Sequence, residues 1–236
     1  MSDDKARFYD TIADDFDALS NQYDTRRRLE IVFDELLTSA DLSGKSVLDV
    51  GCGTGWFSQW AAARGARVTS LDIGVRLLQE AQRRCPMRPI AADACRLPLA
   101  SDTFDVVISS ECVEHTTDPL GAVREIHRVT RPGGLLVVTV PNQRWHFAVS
   151  FANMFNLRPF HGYENWLRWN QLRDTLRDAG ASIEELRGFH LVPPIIPVMQ
   201  PMLRALDSWG GWLGPVMLNL AVRARKLQRT GSGLRA

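Results

Sequence analysis

The stretch Val47 to Ser58 reads VLDVGCGTGWFS, and it decides how the chain is expected to fold. Strand-forming apolar residues surround an acid, Asp49, and glycines follow at positions 51, 53 and 55. Glycines at this spacing let the backbone turn tightly and approach a ligand without an intervening side chain. A helix is expected to begin near Trp56. The stretch therefore predicts a strand, a cofactor-binding loop and a helix.

The glycine spacing separates two kinds of nucleotide-binding loop. A dinucleotide-binding loop has the pattern GxGxxG, whereas here the pattern is GxGxG and Trp56 occupies the last position. The loop resembles that of the class I S-adenosylmethionine (SAM) methyltransferases, in which a strand ending in an acid precedes GxGxG. Asp49, Gly51, Gly53 and Gly55 match those positions. The resemblance implies that these residues and Cys52 contact SAM, with S-adenosylhomocysteine (SAH) as product.

Strand and helix patterns alternate from Ser46 onward, which is typical of a parallel sheet. We predict an α/β, Rossmann-like fold with helices on both faces of a seven-stranded, mostly parallel sheet whose last strand is antiparallel. Residues 1–45 are expected to form an N-terminal helical cap and residues 46–226 the methyltransferase domain, with substrate-side insertions at 142–169 and 191–215. Residues 227–236 are expected to be a flexible tail.

One helix of the cap can be read from periodicity. Apolar residues recur at steps of three and four from Leu29 to Leu37, which predicts an amphipathic helix packed on the sheet. Its polar face is expected to carry Arg26, Arg27, Glu30 and Asp34.

Composition narrows the class of protein. The 236 residues are 45% hydrophobic with a net charge of +1, so we expect one core and no nucleic acid partner. The four cysteines form no CxxC pair, which favours reduced thiols over a disulfide framework or a zinc site. The first ten residues lack the features of a signal peptide, and we expect a cytoplasmic protein.

Acidic residues that end successive strands are expected to meet at one crevice. Asp72 ends the second predicted strand and is placed to accept hydrogen bonds from ribose hydroxyls, with Ile73 packing on the adenine. By resemblance, Asp93 and Ala94 hold the adenine ring. Each aspartate alone is more often a helix cap or a turn residue, but together they favour a cofactor site.

The methionine part of the cofactor is assigned to two other places in the chain. Ser110 and Glu111, which end the fourth predicted strand, are expected to flank it. Tyr9 or Arg26 from the cap is expected to close over its carboxylate.

Glu111, Glu114 and His115 lie in the run SSECVEHTTDP. This run resembles a loop of the ubiquinone-biosynthesis O-methyltransferases and their small-molecule relatives of the type 11 group. Three interpretations stay open. His115 is the preferred general base, since its reference pKa lies near neutrality. Alternatively the two carboxylates and the imidazole ligate Mg²⁺ or Zn²⁺, as the motif does in some relatives, or the residues are structural.

The insertion at 142–169 is unusually aromatic, and by resemblance it builds an acceptor pocket. We therefore expect a hydrophobic small-molecule substrate, with His146 as a second candidate base. The alternative is that the aromatic side chains only fill a helical core. The aromatic residues and histidine of the insertion are Trp145, His146, Phe147, Phe151, Phe155, Phe160, Tyr163, Trp166 and Trp169.

The insertion at 191–215 is apolar and rich in proline, with Trp209 and Trp212 near its end. Such a segment suits a peripheral membrane contact or a long-chain substrate tunnel, and its alternatives are a homodimer interface or a lid.

The sequence thus predicts a SAM-dependent methyltransferase that acts on oxygen of a hydrophobic quinone or phenol precursor or lipid-linked metabolite. Methylation of nitrogen or carbon in a soluble metabolite is the first alternative, because the cofactor half is common to these reactions. A SAM-binding partner protein without turnover is the second. A nicotinamide dehydrogenase is the third, and the loop spacing argues against it.

Overall fold

In a computed structural model, which describes residues 2–146, 164–192, 200–230 and 233–235, the chain forms a central sheet with helices on both faces. The seven strands run in the order β3-β2-β1-β4-β5-β7-β6 across the sheet. They are β1 Ser46–Val50, β2 Arg67–Asp72, β3 Arg88–Ala91, β4 Phe104–Ser110, β5 Thr130–Pro141, β6 Ala181–Phe189 and β7 Asn219–Lys226. The first five strands pair in parallel, and β7 pairs antiparallel with both β5 and β6.

The helices of the described residues follow the expected alternation with the strands. The α-helices are α1 Ser2–Ile12, α2 Phe16–Leu19, α3 Gln22–Leu29, α4 Trp56–Ala63, α5 Val75–Arg84, α6 Pro119–Val129, α7 Trp169–Asp178, α8 Gln200–Leu206 and α9 Gly210–Leu213. A π-helix, Glu30–Leu36, continues α3. Short 3₁₀ turns cover Ala13–Asp15, Val113–His115, Gln143–Trp145, Asp207–Trp209 and Gly214–Val216.

The core has two layers because successive strand residues point to opposite faces of the sheet. Leu48 and Leu136 belong to the layer under α6 and α7, whereas Val47 and Val137 belong to the layer under the π-helix and α4. All four side chains are buried. The predicted Rossmann-like fold, with its antiparallel last strand, is therefore confirmed.

The prediction for the polar face of the cap helix is wrong at Arg27. Its side chain is only 5% exposed, and its Nε donates a hydrogen bond to the fully buried Asp207 at 2.8 Å. Its Nη1 also donates to Glu35 at 2.5 Å. A buried guanidinium is stable here because two carboxylates offset its charge. Its partner Asp207 lies 180 residues away along the chain, so the periodicity of one helix could not predict this contact.

Beyond Lys226, two short strands, β8 Gln228–Thr230 and β9 Gly233–Arg235, pair antiparallel. Among the described residues, no helix is both long and apolar enough to cross a membrane.

Candidate active site

A cavity of about 890 Å³ opens at the carboxyl ends of the central strands, under the N-terminal cap. Its lining brings together most of the site residues that the sequence suggested. These are Tyr9, Arg26, Gly51, Cys52, Gly53, Asp72, Ile73, Asp93, Ala94, Ser110, Glu111, Glu114 and His115. Ligand pockets span about 300–1,000 Å³, so the cavity has room for two small molecules together.

The loop after β1 needs glycine for two separate reasons. Gly51 has φ +74, and a Cβ there would lie 2.2 Å from Cys112 Sγ. Gly55 has φ +87, and a Cβ there would lie 2.7 Å from the Ala81 Cβ of α5. Both positions favour glycine through their left-handed backbone and the closeness of the next element. Gly55 is absent from the cavity lining, and it packs the loop against α5 instead.

Asp72 ends β2 beside this loop. Its Oδ2 accepts a hydrogen bond from the Gly53 N–H at 2.8 Å, and its Oδ1 accepts one from the Gly74 N–H at 2.9 Å. A carboxylate offers about four acceptor positions, so two backbone donors leave capacity for a ligand. Burial raises the pKa of Asp72, against the effect of the backbone donors. The side chain is thus fixed in place and still able to accept hydrogen bonds from hydroxyl groups.

The end of β3 supplies the other predicted adenine contacts. Asp93 Oδ1 accepts a hydrogen bond from the Cys95 N–H at 2.8 Å, which fixes a turn at the cavity wall. Ala94 is buried, and both Ala94 and Ile73, the neighbour of Asp72 in the chain, line the cavity.

Asp49, the acid within β1, lies outside the cavity lining. It is 2% exposed, and it accepts a hydrogen bond from Ser58 Oγ at 2.6 Å. Burial raises its pKa to about 7. The structure therefore places this acid behind the glycine loop, where it ties β1 to α4.

Arg28 is a cap cation at the cavity that the sequence did not single out, and Lys5 of α1 also lies in the lining. The Arg28 side chain is 14% exposed, and its Nη1 donates a hydrogen bond to Ser110 Oγ at 3.3 Å. Arg26, the predicted residue, is at the rim with an 80% exposed side chain near Glu30. Periodicity does not single out Arg28, because Arg27 and Arg28 lie four residues before the equally buried Ile31 and Val32.

Glu111 and Glu114 form an acidic pair at the end of β4. Burial raises the pKa of Glu111 to about 7, although the Arg28 guanidinium lowers it. Burial, reinforced by the neighbouring Glu111 carboxylate, raises the pKa of Glu114 well above its ordinary value. Glu111 has φ +51, an uncommon backbone conformation for a side chain of this size. Glu114 Oε2 is buried and has no hydrogen-bond partner among the described residues, so this carboxyl can still contact a bound molecule.

His115 borders the cavity one residue further on. Its Nε2 lies 3.9 Å from Glu114 Oε1, and its ring meets the Tyr9 ring edge to face with centroids 6.4 Å apart. The side chain is 26% exposed, so it is open to a bound molecule.

The three residues do not fit a metal site. Glu111 Oε1 accepts a hydrogen bond from Thr139 Oγ1 at 3.2 Å, and Glu111 Oε2 accepts one from Asn219 Nδ2 at 3.4 Å. Over the described ranges, no group of three or more His, Cys, Asp or Glu side chains is arranged to hold a metal ion. We therefore derive no catalytic step through a cation.

The cap is held over the glycine loop by Asp17, another residue that sequence reasoning missed. Its Oδ1 accepts hydrogen bonds from Thr54 Oγ1 at 2.6 Å and from Trp56 Nε1 at 3.2 Å. Its Oδ2 accepts one from Arg84 at 2.6 Å, and the Arg84 guanidinium stacks on the Trp56 ring. Trp56, in the position where a dinucleotide loop has glycine, thus anchors the cap.

Part of the aromatic insertion borders the cavity. Trp166 is 8% exposed and lines the cavity together with Glu164. The exposed His146 packs edge-on against Trp166 with centroids 5.7 Å apart, and it is not in the described lining. Trp145 and Trp169 are described and are absent from the cavity lining. The other aromatic residues of this prediction, Phe147, Phe151, Phe155, Phe160 and Tyr163, lie outside the described residues.

The second insertion presents an apolar surface over its described part. Trp209 and Trp212 are 58% and 81% exposed, whereas its acid, Asp207, is buried. Residues 193–199 of this insertion lie outside the described ranges. The predicted membrane contact and the alternative homodimer interface stay predictions.

The fold and the loop at its switch point define a Rossmann-like methyltransferase. A family model described as a methyltransferase domain matches residues 48–138. The chain is 36% identical over 169 residues to the ubiquinone biosynthesis O-methyltransferase of Pseudomonas syringae pv. tomato, an alignment that covers 65% of this chain and 72% of that protein. The chain belongs to the family of SAM-dependent methyltransferases that includes this relative.

Solved structures agree at the level of the fold. A SAM-dependent methyltransferase from Mesorhizobium loti superposes with a TM-score of 0.64 at 22% identity, covering 84% of this chain and 98% of that one. The magnesium protoporphyrin IX methyltransferase of Synechocystis, crystallised with SAH, superposes with a TM-score of 0.62 at 18% identity. It covers 86% of this chain and 83% of that one. The protein is therefore a SAM-dependent methyltransferase, and SAM is its methyl donor.

Proposed function

We propose that this enzyme transfers the methyl group of SAM to a hydroxyl oxygen of a hydrophobic small molecule. The observation that carries the proposal is the meeting of Glu111, Glu114 and His115 with the cofactor residues in one cavity that also has apolar walls. Phe8, Ile12 and Trp166 belong to those walls.

The chain offers suitable groups for each part of SAM. Asp72 accepts hydrogen bonds from the ribose hydroxyls, and Asp93 with Ala94 borders the adenine. Arg28 binds the carboxylate of the methionine part, because a partly buried guanidinium is the strongest carboxylate ligand in the lining. Glycine at position 53 keeps the loop close to the cap, since a Cβ there would lie 3.2 Å from the Phe16 ring.

SAM supplies an electrophilic methyl group on a positively charged sulfur, and the protein must position an acceptor oxygen in line with that methyl. His115 takes the proton of the acceptor hydroxyl as the oxygen–carbon bond forms and the carbon–sulfur bond breaks. The buried Glu114 carboxyl, 3.9 Å from His115 Nε2, orients the acceptor or the imidazole. Because the sulfonium charge disappears during transfer, low-dielectric apolar walls favour the step.

The relatives support oxygen as the acceptor atom. The protein from Pseudomonas syringae pv. tomato is named an O-methyltransferase of ubiquinone biosynthesis, and it shares most of its length with this chain. A hydroxylated aromatic precursor of a quinone is therefore the acceptor class we propose. N- or C-methylation of a soluble metabolite has no comparable support.

The test is turnover on defined acceptors. Purified enzyme is incubated with SAM and matched aromatic compounds that carry a hydroxyl, an amino group or neither, each with and without a long apolar chain. We expect methylation of the hydroxylated, apolar-chain compound. Preference for the amino compound would overturn the assignment of oxygen.

A further inference from the structure

We infer that Asp24 and His190 are positioning residues that hold Arg28 in the orientation needed to bind the cofactor carboxylate. This positioning role rests on the proposed function of Arg28. Neither residue touches the reacting atoms in the proposed reaction.

Asp24 holds Arg28 from one turn earlier in α3. Asp24 Oδ2 accepts a hydrogen bond from Arg28 Nε at 3.0 Å, while Arg28 Nη1 reaches Ser110 Oγ on the other side. Arg28 Nη2 also donates to Thr25 Oγ1 at 3.3 Å. A flexible side chain with several rotatable bonds loses much of its freedom when two different elements hold it. The guanidinium is thus fixed before a ligand arrives.

His190 lies behind Asp24 and is fully buried. Its Nδ1 is 3.3 Å from Asp24 Oδ1, a close polar contact without the alignment of a hydrogen bond. Its Nε2 has no hydrogen-bond partner among the described residues. The Tyr23 ring stacks on the imidazole with centroids 5.7 Å apart. Burying a polar ring with so few hydrogen bonds costs free energy of folding. This cost favours a role for His190 beyond packing.

The backbone at His190 is also held in an uncommon conformation, with φ +55. Its N–H donates to Asp207 Oδ1 at 2.7 Å, and its carbonyl accepts from the Leu218 N–H at 2.8 Å. The surrounding structure therefore imposes this backbone conformation on the residue. His190 directly follows β6, so its contact with Asp24 joins the end of this strand to α3.

Direct binding of SAH, measured by calorimetry, tests this role without any acceptor substrate. Arg28→Met should weaken binding by roughly tenfold or more, because a charge-assisted hydrogen bond is lost. Asp24→Ala should weaken it by roughly fivefold, and Asp24→Asn, which keeps an acceptor for Arg28 Nε, should recover most of that loss. His190→Phe, which keeps the ring stacking, should weaken it by about twofold to threefold.

A double variant separates positioning from a general structural effect. If Asp24 acts through Arg28, Asp24→Ala in the Arg28→Met background should weaken SAH binding no further. The matched control is Asp34→Ala, since Asp34 is a half-exposed acid that pairs with Arg64 outside the cavity. It should bind SAH like the wild type.

Two results would overturn the inference. One is unchanged or tighter SAH binding in a folded Asp24→Ala variant. Tighter binding would mean that the Asp24 carboxylate competes with the cofactor carboxylate for Arg28. The other is an additive loss in the double variant. If Asp24→Ala does not fold, His190→Phe decides, and wild-type SAH binding in that variant contradicts the role. An Arg28→Met variant with wild-type binding would instead refute the proposed role of Arg28. Failure to methylate a hydroxyl acceptor would leave all these binding results unchanged.

Discussion

Asp72 Oδ2 accepts a hydrogen bond from the Gly53 N–H at 2.8 Å, and this contact joins the acid at the end of β2 to the glycine loop at the end of β1. The ends of two neighbouring parallel strands thus place a carboxylate beside a glycine backbone that a ligand can approach closely. In the proposed site, this pair lies where the cofactor binds.

Asp72→Asn should raise the KM for SAM by roughly 10- to 100-fold. The asparagine amide has one acceptor oxygen and one NH₂ donor group. That donor would face either a backbone N–H or a ribose hydroxyl that needs an acceptor, and one hydrogen bond would be lost. Steady-state kinetics with varied SAM measures the effect. The control is Asp105→Asn, since Asp105 accepts hydrogen bonds from Ser46 at the far end of the strands. An equal rise in both variants would mean that the loss is a general effect on folding.

His115→Ala should lower kcat by about 10²-fold and leave SAH affinity within a few fold, because a general base acts mainly on the chemical step. The rate of a single turnover with saturating SAM is the suitable measurement. His146→Ala provides the comparison between the two candidate histidines, and we expect it to keep most of the activity because His146 is absent from the described lining. A larger loss of activity in His146→Ala than in His115→Ala would make His146, and not His115, the general base.

Glu111 should make the stability of the protein depend on pH. Its pKa is raised from 4.5 to about 7 in the folded state. As pH rises from about 4.5 to 7, the unfolded chain loses this proton before the folded chain does, so the free energy of unfolding falls. Above about pH 7 the loss is complete, at roughly 1–2 kcal/mol once partial solvent exposure is allowed for.

Glu111→Gln cannot ionise and should remove this loss. Urea unfolding at pH 5 and pH 8 should show a smaller difference in the variant than in the wild type. Glu185→Gln, at a side chain that is 45% exposed, should keep the wild-type difference. Identical pH dependence in wild type and Glu111→Gln would contradict a raised pKa at Glu111.

Exhaustive chelation should leave turnover unchanged, because no group of three or more His, Cys, Asp or Glu side chains in the described residues is arranged to hold a metal ion. The rate is measured with and without a strong chelator, followed by addition of Mg²⁺ or Zn²⁺. A loss of activity that either ion restores would reinstate the metal interpretation of the ExxEH run.

The sequence was sufficient where the chemistry is local. Strand, glycine turn and helix follow each other within residues 46–63, and strand-end acids converge in any open parallel sheet. The fold and many residues of the cavity lining could therefore be predicted. Asp49 belongs to the same motif but points behind the loop to Ser58. The motif fixes its position in the chain and not the face of the strand from which its side chain projects.

The side-chain positions in the cap could not be predicted, because contacts with residues far along the chain determine where each arginine side chain points. Arg27 is buried by Asp207, and Arg28 reaches Ser110 while Arg26 stays exposed. Three consecutive arginines look equivalent in sequence. Only tertiary contacts across the chain distinguish the buried, cavity-facing and exposed members of the run.

The most direct test of the central claim is the transfer of a labelled methyl group from SAM to components of a whole-cell extract. We predict that the wild-type enzyme places label in the organic phase on an oxygen-linked methyl group, and that His115→Ala loses most of this label. Label confined to the aqueous phase, or found on nitrogen or carbon, would contradict O-methylation of a hydrophobic acceptor.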